Sequence, residues 1–584
     1  MIVQPSHPGR ISRWGRSGPR LECLLPLFAL LAVALGCNRE ESRSSSGKDP
    51  GSAGSAPPAA PPGAIEIKFV YGSEKKDWLN DVTDAFNKSG QKIADGRPVW
   101  VAATPMGSGE SIDEVVSGRT QAHLVSPASA AFITLGNAKW RPTHNADLIG
   151  PAENLVVSPV VIAMWRPMAE ALGWPGKPVG WKDILELARN PQGWSAYGHP
   201  EWGQFKFGHT HPEYSNSGLI SVLAEVYAAA GKQRDLRLDD LGKPEVGRFL
   251  SDIEQAVVHY GSSTGFFADK MYESGPRYLS AAVLYESSVI DAYARKYPTE
   301  FPVVAVYPAE GTFWSDHPVG VVQREWVTDA HKQAAKLYVD YLRAEPQQRA
   351  ALKYGFRPGN PAVPMEGRIT PSLGVDPDQP KTTLDVPGAE VVDAAIGLWR
   401  KNKKHANVVL VFDTSGSMSQ EGKIVAAREG AEELVNMLAD EDTLSILPFS
   451  TTLNWGPRGM RVKDSRQQAL RTVRSFIADG NTALYDATAA AHKYLMENPQ
   501  PDKISAVVVL TDGADSARGM NLDSLLAQIQ SDNERNTVRV FTIAYGSDAQ
   551  KDILDRVSNA TRAKSYAGKP ENIRQVFKEI ATFF

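Results

Sequence analysis

Apolar and polar positions along this chain fall into a patternless N-terminal stretch followed by two long regions in which strand-like and helix-like periods alternate. Ile65-Glu66-Ile67-Lys68-Phe69-Val70 has the two-residue period of a strand, and Trp78, Leu79, Val82 and Phe86 follow at helical spacing. Further strands are expected at 99–103, 122–126, 155–165, 282–285 and 303–307, with amphipathic helices between them, notably 218–230 and 246–260. An Asp- and Pro-rich break at 376–388 and a short helical period at 391–399 interrupt the alternation, which then restarts. It predicts strands over 407–412, 443–449, 505–511 and 538–545, and helices over 423–439, 466–478, 484–497, 522–531, 549–559 and 570–582. The runs 408–412 and 507–510 are apolar at every position, as suits strands covered on both faces, so this second region predicts a mostly parallel sheet wrapped by helices. The fold class is α/β, with a domain over 65–372, a linker with a short helix over 373–404 and a second domain over 405–584.

The first 64 residues follow other rules. Arg10, Arg13, Arg16 and Arg20 precede an apolar segment, Leu24 to Leu35, that is short for a membrane span and reads as a secretion signal over 1–36. It ends in Ala34-Leu35-Gly36-Cys37, which resembles the lipobox of bacterial lipoproteins with Ala34 and Leu35 in reversed order. That resemblance implies cleavage before Cys37, acylation of its thiol and a membrane anchor facing the periplasm or exterior. An ordinary signal peptide or an uncleaved anchor is the alternative. Residues 37–64, rich in Ser, Gly and Pro, read as a solvated tether. Both cysteines, Cys23 and Cys37, lie in this stretch, so acylation of Cys37 would exclude a disulfide-stapled mature protein. A net charge of −4 offers no broad basic field for nucleic acid.

Chemistry concentrates first in the second domain. Asp413-Thr414-Ser415-Gly416-Ser417 follows a buried strand, Thr482 precedes a helix, and Asp512 closes another strand. Short carboxylates and hydroxyls at strand ends are the oxygen donors that a small hard cation takes, and no thiolate or imidazole is needed. Read singly, Asp413 and Ser417 could merely cap a helix. The set resembles the von Willebrand factor type A domain and its metal-ion-dependent adhesion site, Asp-x-Ser-x-Ser, then Thr, then Asp. The resemblance implies Mg²⁺ (or Mn²⁺ or Ca²⁺) at Asp413, Ser415, Ser417, Thr482 and Asp512, with a coordination position left for an acidic side chain of a protein partner.

The order of elements in the first domain resembles the type 2 extracellular solute-binding proteins of bacteria. The resemblance implies two α/β lobes joined by crossing strands near 157–165 and 303–307, with lobe one at 65–157 and 305–370 and lobe two at 158–304. A small polar or anionic solute would sit between the lobes. Ser108-Gly109, Ser126, Ser129 and Ser215-Asn216-Ser217 stand where strands give way to helices, whose N-termini expose unpaired N–H groups. His209 precedes the last of these, and Tyr285-Glu286 stands where the resemblance places a contact from lobe two. Each serine read singly is also an ordinary helix cap.

Other motifs lead nowhere. Gly261-Ser262-Ser263-Thr264-Gly265 fits G-x-S-x-G but does not follow a strand, so the nucleophile elbow is missing. Gly416 to Lys423 has the wrong spacing for a phosphate loop, and His209-x-His211 is too sparse for zinc. Trp165, Trp174, Trp181, Trp194 and Trp202 are expected to pack the lobe-two core. The expectation is a non-enzymatic envelope protein with a solute cleft and a metal-dependent protein-binding site; a solute receptor for an ABC transport system is the alternative.

Overall fold

The structure, a computed structural model, describes residues 60–294, 299–530 and 538–584. The leader, Cys37 and most of the tether lie outside the described residues.

Strand Ile65–Gly72 forms as its alternation predicts and pairs in parallel with Val99–Met106 and Leu124–Ser126. Pro318–Val322 and Ile149–Asn154 complete this five-stranded sheet in antiparallel sense. Helices Lys76–Lys88 and Asp329–Arg343 cover one face. Phe69, Trp78, Phe86 and Tyr338 are fully buried there, with edge-on ring contacts from Tyr338 to Phe69 and Phe86. Burying side chains of this size contributes about 1.5–3 kcal/mol each, which fixes the carboxyl edge of this sheet.

A second sheet is organised around Val156–Trp165, which pairs antiparallel with Ala281–Tyr285, Val303–Val306, Trp314–Ser315 and Arg357–Pro358. The outward crossing is the step from Ile149–Asn154 into Val156–Trp165. The return crossing expected at 303–307 lies farther along, at Asp316-His317. Val303–Val306 stays paired with Val156–Trp165, and the chain changes sheets only between Trp314–Ser315 and Pro318–Val322. Trp165, Trp181 and Trp194 are buried in this lobe, while Trp174 and Trp202 pack partly buried against it. The helix expected at 246–260 is Pro244–Glu254; after it the amides of Ala256 and Val257 tighten onto Ile253 O and Glu254 O, and that of Val258 donates to Phe207 O of another segment.

The segment expected as a linker carries a packed helix, Ala389–Asn402, with Val392, Ala395 and Trp399 buried. Trp399 stands edge-on to His211 and Tyr260 of the preceding domain. The C-terminal domain then forms a six-stranded sheet in the order Met460–Arg461, Thr443–Phe449, His405–Asp413, Lys503–Thr511, Arg539–Tyr545 and Ser565–Gly568. All pairings are parallel except that of the short Met460–Arg461 edge. Val408, Leu410 and Phe412 face helices Lys423–Met437 and Ile573–Ala581, and Val409 and Val411 face Leu484–Glu497 and Leu522–Ile529. That two-sided burial is the physical content of the uninterrupted apolar runs.

Candidate metal centre and solute cleft

Parallel strands end together at one sheet edge, and the loops leaving that edge meet. Asp413 is the last residue of His405–Asp413, Asp512 follows Lys503–Thr511, and Thr482 stands just before helix Leu484–Glu497. Ser415 Oγ lies 3.1 Å from Ser417 Oγ, and Ser417 Oγ donates to Asp512 Oδ1 at 2.7 Å. Asp413 accepts from the amide of Ser415 at 2.7 Å and from Thr511 Oγ1 at 2.5 Å. The Gly416 amide donates to Gly480 O at 2.9 Å, drawing the loop of Thr482 onto the Asp-x-Ser-x-Ser turn. A methyl group on Gly513 would stand 3.7 Å from Thr482 Oγ1 and 3.9 Å from Ser417 Oγ, so these two hydroxyls face the same small space. The structure thus brings all five residues to one edge.

Asp413 and Asp512 are both fully buried. Burial, and then the charge of Asp512, raises the Asp413 carboxyl above its usual range. Two carboxylates and three hydroxyls facing one another form a hard-oxygen donor set with excess negative charge, which fits a divalent cation and no soft metal. Sequence reasoning missed Lys423, which it met only as the end of a failed phosphate-loop spacing. Its ammonium donates to Asp512 Oδ2 at 2.9 Å, at the start of helix Lys423–Met437.

In the first domain the two lobes touch through helix Ser108–Ser117. The Gly109 amide donates to Tyr214 O at 3.0 Å, and a Cβ on Gly109 would stand 1.9 Å from Glu213 O, so this approach requires glycine. Asn216 Nδ2 donates to Tyr285 Oη at 3.1 Å and to Ser315 Oγ at 2.8 Å. Ser215 and Ser217 are stitched to Thr264, at 3.3 and 2.9 Å. Ser108 Oγ accepts from Ala128 N at 2.9 Å, and Ser129 caps helix Ala130–His144. Four buried polar atoms of this region have no hydrogen-bond partner among the described residues: Ser73 Oγ, Ser126 Oγ, Asn216 Oδ1 and His317 Nε2. Such groups are costly to bury unpaired and are what a polar ligand satisfies.

Sequence reasoning also missed the turn Ser73-Glu74-Lys75 and His317. Lys75 is fully buried, 2.6 Å from Glu74 Oε1 and 3.2 Å from His317 Nδ1, and His317 stands edge-on to Tyr285. Burial alone would raise the Glu74 carboxyl, but Lys75 and His317 reverse this and hold it at about 2. Burial and then Lys75 push His317 down to about 4. The available signal was position, since 73–75 follows the carboxyl end of Ile65–Gly72, just as Ser108 comes after Val99–Met106 and Ser126 ends Leu124–Ser126.

Two expected cleft residues turn elsewhere. His209 donates its Nδ1 proton to Thr210 O at 2.8 Å and sets Nε2 3.0 Å from Glu254, in a buried group with Glu225, so its ring faces the domain interior. Glu286 is held by Arg357 at 2.8 and 2.6 Å and by Tyr307 at 2.5 Å, an internal ion pair rather than a free ligand contact.

Residues 67–357 match the family model of the bacterial extracellular solute-binding protein, and residues 406–565 match that of the von Willebrand factor type A domain. The chain joins an extracellular solute-binding domain to a von Willebrand factor type A domain. Both are binding modules, typically without enzymatic activity. The chain is 26% identical over 165 residues to inter-alpha-trypsin inhibitor heavy chain H2 of Mesocricetus auratus, a match covering 27% of this chain and 17% of that one. The human protein of the same name is 21% identical over 188 residues, with 30% and 20% covered. The chain therefore spans at most a fifth of the length of these curated relatives. Among solved structures, a von Willebrand factor type A protein from Catenulispora acidiphila is 23% identical over 31% of this chain and 42% of its own, with a TM-score of 0.28. A periplasmic thiamin binding protein is 13% identical over 59% and 98%, with a TM-score of 0.43. An extracellular solute-binding domain points to the periplasm or exterior, and no helix among the described residues is long and apolar enough to cross a membrane.

Proposed function

We propose that this protein is a lipid-anchored envelope receptor that captures a small polar or anionic solute between its lobes and holds a protein partner at a divalent-metal adhesion site. The observation that carries the reading is the convergence of Asp413, Ser415, Ser417, Thr482 and Asp512, from segments up to about a hundred positions apart, at one sheet edge. Ser415, Ser417 and Thr482 would supply hydroxyl oxygens, with Asp413 and Asp512 close by as the balancing carboxylates. A bound Mg²⁺ supplies positive charge at which an acidic side chain of the partner docks. Lys423 steadies Asp512 from behind, and Thr511 and the Ser415 amide orient Asp413. In the cleft, the unpartnered atoms of Ser73, Ser126, Asn216 and His317 are the contacts offered to the solute. Cys37 would carry the anchor, and the tether would set the reach from the membrane.

Titration calorimetry of the purified chain with Mg²⁺ and Mn²⁺ tests the adhesion site. The expected result is one saturable site that D413A and T482A abolish while circular dichroism stays unchanged. Uptake that does not depend on Asp413, or no uptake at all, would remove this reading of the C-terminal domain.

A further inference from the structure

Three ionisable side chains meet in the interior of lobe two, away from both the cleft and the adhesion site. His209 follows strand Phe207–Gly208, Glu225 lies in helix Asn216–Ala230, and Glu254 ends helix Pro244–Glu254. All three are fully buried, and each offers a ligand atom within 4.8 Å of those of the other two. Among the described residues no Lys or Arg pairs with either carboxylate, and the ion-pair partner of Glu254 is His209, whose Nε2 lies 3.0 Å from Glu254 Oε1. An imidazolium paired with Glu254 accounts for two of these groups and leaves the third unexplained. Ser221 Oγ donates to Glu225 Oε1 at 2.9 Å, but Glu225 Oε2, equally buried, has no hydrogen-bond partner among the described residues. Burial, and then the charge of Glu254, raises the Glu225 carboxyl far above its usual range. A second buried carboxylate beside the first is costly unless a cation stands between them.

The groups behind these three side chains are placed as they are around a bound metal. His209 Nδ1 donates to Thr210 O at 2.8 Å, which in the neutral ring leaves the lone pair on Nε2, the nitrogen beside Glu254. Tyr260 Oη donates to Glu254 Oε2 at 2.5 Å, and Ser221 orients Glu225, so each carboxylate has one oxygen held from behind and one left over. Ligand atoms bound to a tetrahedral zinc ion stand about 3.4 Å apart, a spacing that small rotations of the two glutamate side chains reach. One neutral imidazole and two carboxylates carry two negative charges, which a divalent ion balances. The imidazole favours zinc or a neighbouring transition ion over Mg²⁺ or Ca²⁺, and a second carboxylate oxygen or a water completes four-coordination.

We propose that His209, Glu225 and Glu254 hold one structural Zn²⁺ ion that ties helices Asn216–Ala230 and Pro244–Glu254 to the end of strand Phe207–Gly208. Tyr260 carries the effect outward: its hydroxyl holds Glu254 and also accepts from Lys404 N at 3.2 Å, and its ring stands edge-on to Trp399. The ion therefore braces the face of lobe two that meets helix Ala389–Asn402. The site stands or falls independently of the cleft and of the adhesion site.

Plasma mass spectrometry of the tag-free full chain, purified from cells grown with added Zn²⁺ and then passed through EDTA and gel filtration, tests it. D413A is the background, so that an ion at the adhesion site is not counted. E225Q keeps the shape of the side chain and removes a buried charge, so it leaves the fold intact, as circular dichroism will verify. The expected result is about one zinc per chain in D413A, reduced at least about tenfold in D413A/E225Q. A second measurement needs no change at the site: D413A from cells grown with Co²⁺ in place of zinc is expected to show the intense visible absorption of a four- or five-coordinate ion. Less than about a tenth of an equivalent of zinc in D413A, or a content unchanged by E225Q, overturns the proposal. The second of these results would place the ion elsewhere in the chain.

Discussion

Asp512 divides its carboxylate between two neighbours, Ser417 on one oxygen and the Lys423 ammonium on the other. Removing the ammonium leaves two buried carboxylates facing each other with nothing to balance them. K423M is therefore expected to lower metal-free stability by about 3–5 kcal/mol in chemical denaturation. A loss below about 1 kcal/mol would mean that Lys423 contributes no more than a surface pair. In the cleft, His317 is held neutral, with a folded pKa of about 4 against about 6.5 in the unfolded chain. The unfolded state binds the proton first, so this histidine's contribution is intact above pH 6.5 and declines as pH falls toward 4. Glu74, held at about 2, acts in the same direction at lower pH, its contribution present above its unfolded pKa and lost as pH falls toward 2. H317N should flatten the stability profile between pH 6.5 and 4 by roughly 3 kcal/mol, read from denaturation midpoints across that range. An unchanged slope would show that His317 titrates normally. The residues that sequence reasoning found are those at which a motif or a strand-to-helix step marks the position, such as Ser415 or Ser126. Lys75, His317 and Lys423 carry no such mark, because only the folded chain brings their partners near. His209 was placed in the cleft by its closeness in sequence to Ser215, but its ring is turned by Glu254, 45 positions away.

Helix Ser108–Ser117 shows how an element can depend on one missing side chain. Its second residue approaches Glu213 O so closely that any Cβ must move the helix, and with it the contact between lobes. G109A is expected to cost about 1–3 kcal/mol, measured by urea denaturation, and more if the lobes separate. A neutral substitution would mean that the lobes are not held at this distance in solution. Element identity was largely legible, since buried strands and amphipathic helices advertise their periods. Ends were less so: Val462–Arg474 begins four residues before the expected 466, and Pro244–Glu254 stops short of 260, beyond which Val258 N donates to Phe207 O and Phe207 N to Ala256 O. Those competing hydrogen bonds come from distant segments and leave no local trace.

At the scale of the molecule, the Pro- and Asp-rich break reads as a loose connection, yet the helix that follows it is a wedge. One apolar cluster runs from lobe two through Trp399 to Phe541, Phe583 and Phe584, and Lys403 Nζ donates to Phe584 O at 2.8 Å. Composition revealed the break but could not reveal that the helix after it buries Trp399 against His211 and Tyr260. The two domains should therefore unfold in one transition. W399A, expected to cost about 3–5 kcal/mol, should split it into two in a calorimetric scan. Retention of a single transition in that variant would assign the coupling to other contacts. The wedge also sets how load would travel. Strand His405–Asp413 leaves the Trp399 junction and ends at Asp413, and it is flanked on both sides by parallel partners over seven and eight consecutive positions. If a partner held at Asp413 were pulled away from the first domain, tension would run along this central strand. Its flanking ladders then have to shear as a block rather than unzip bond by bond, which makes the type A domain the stiff link in a chain under strain.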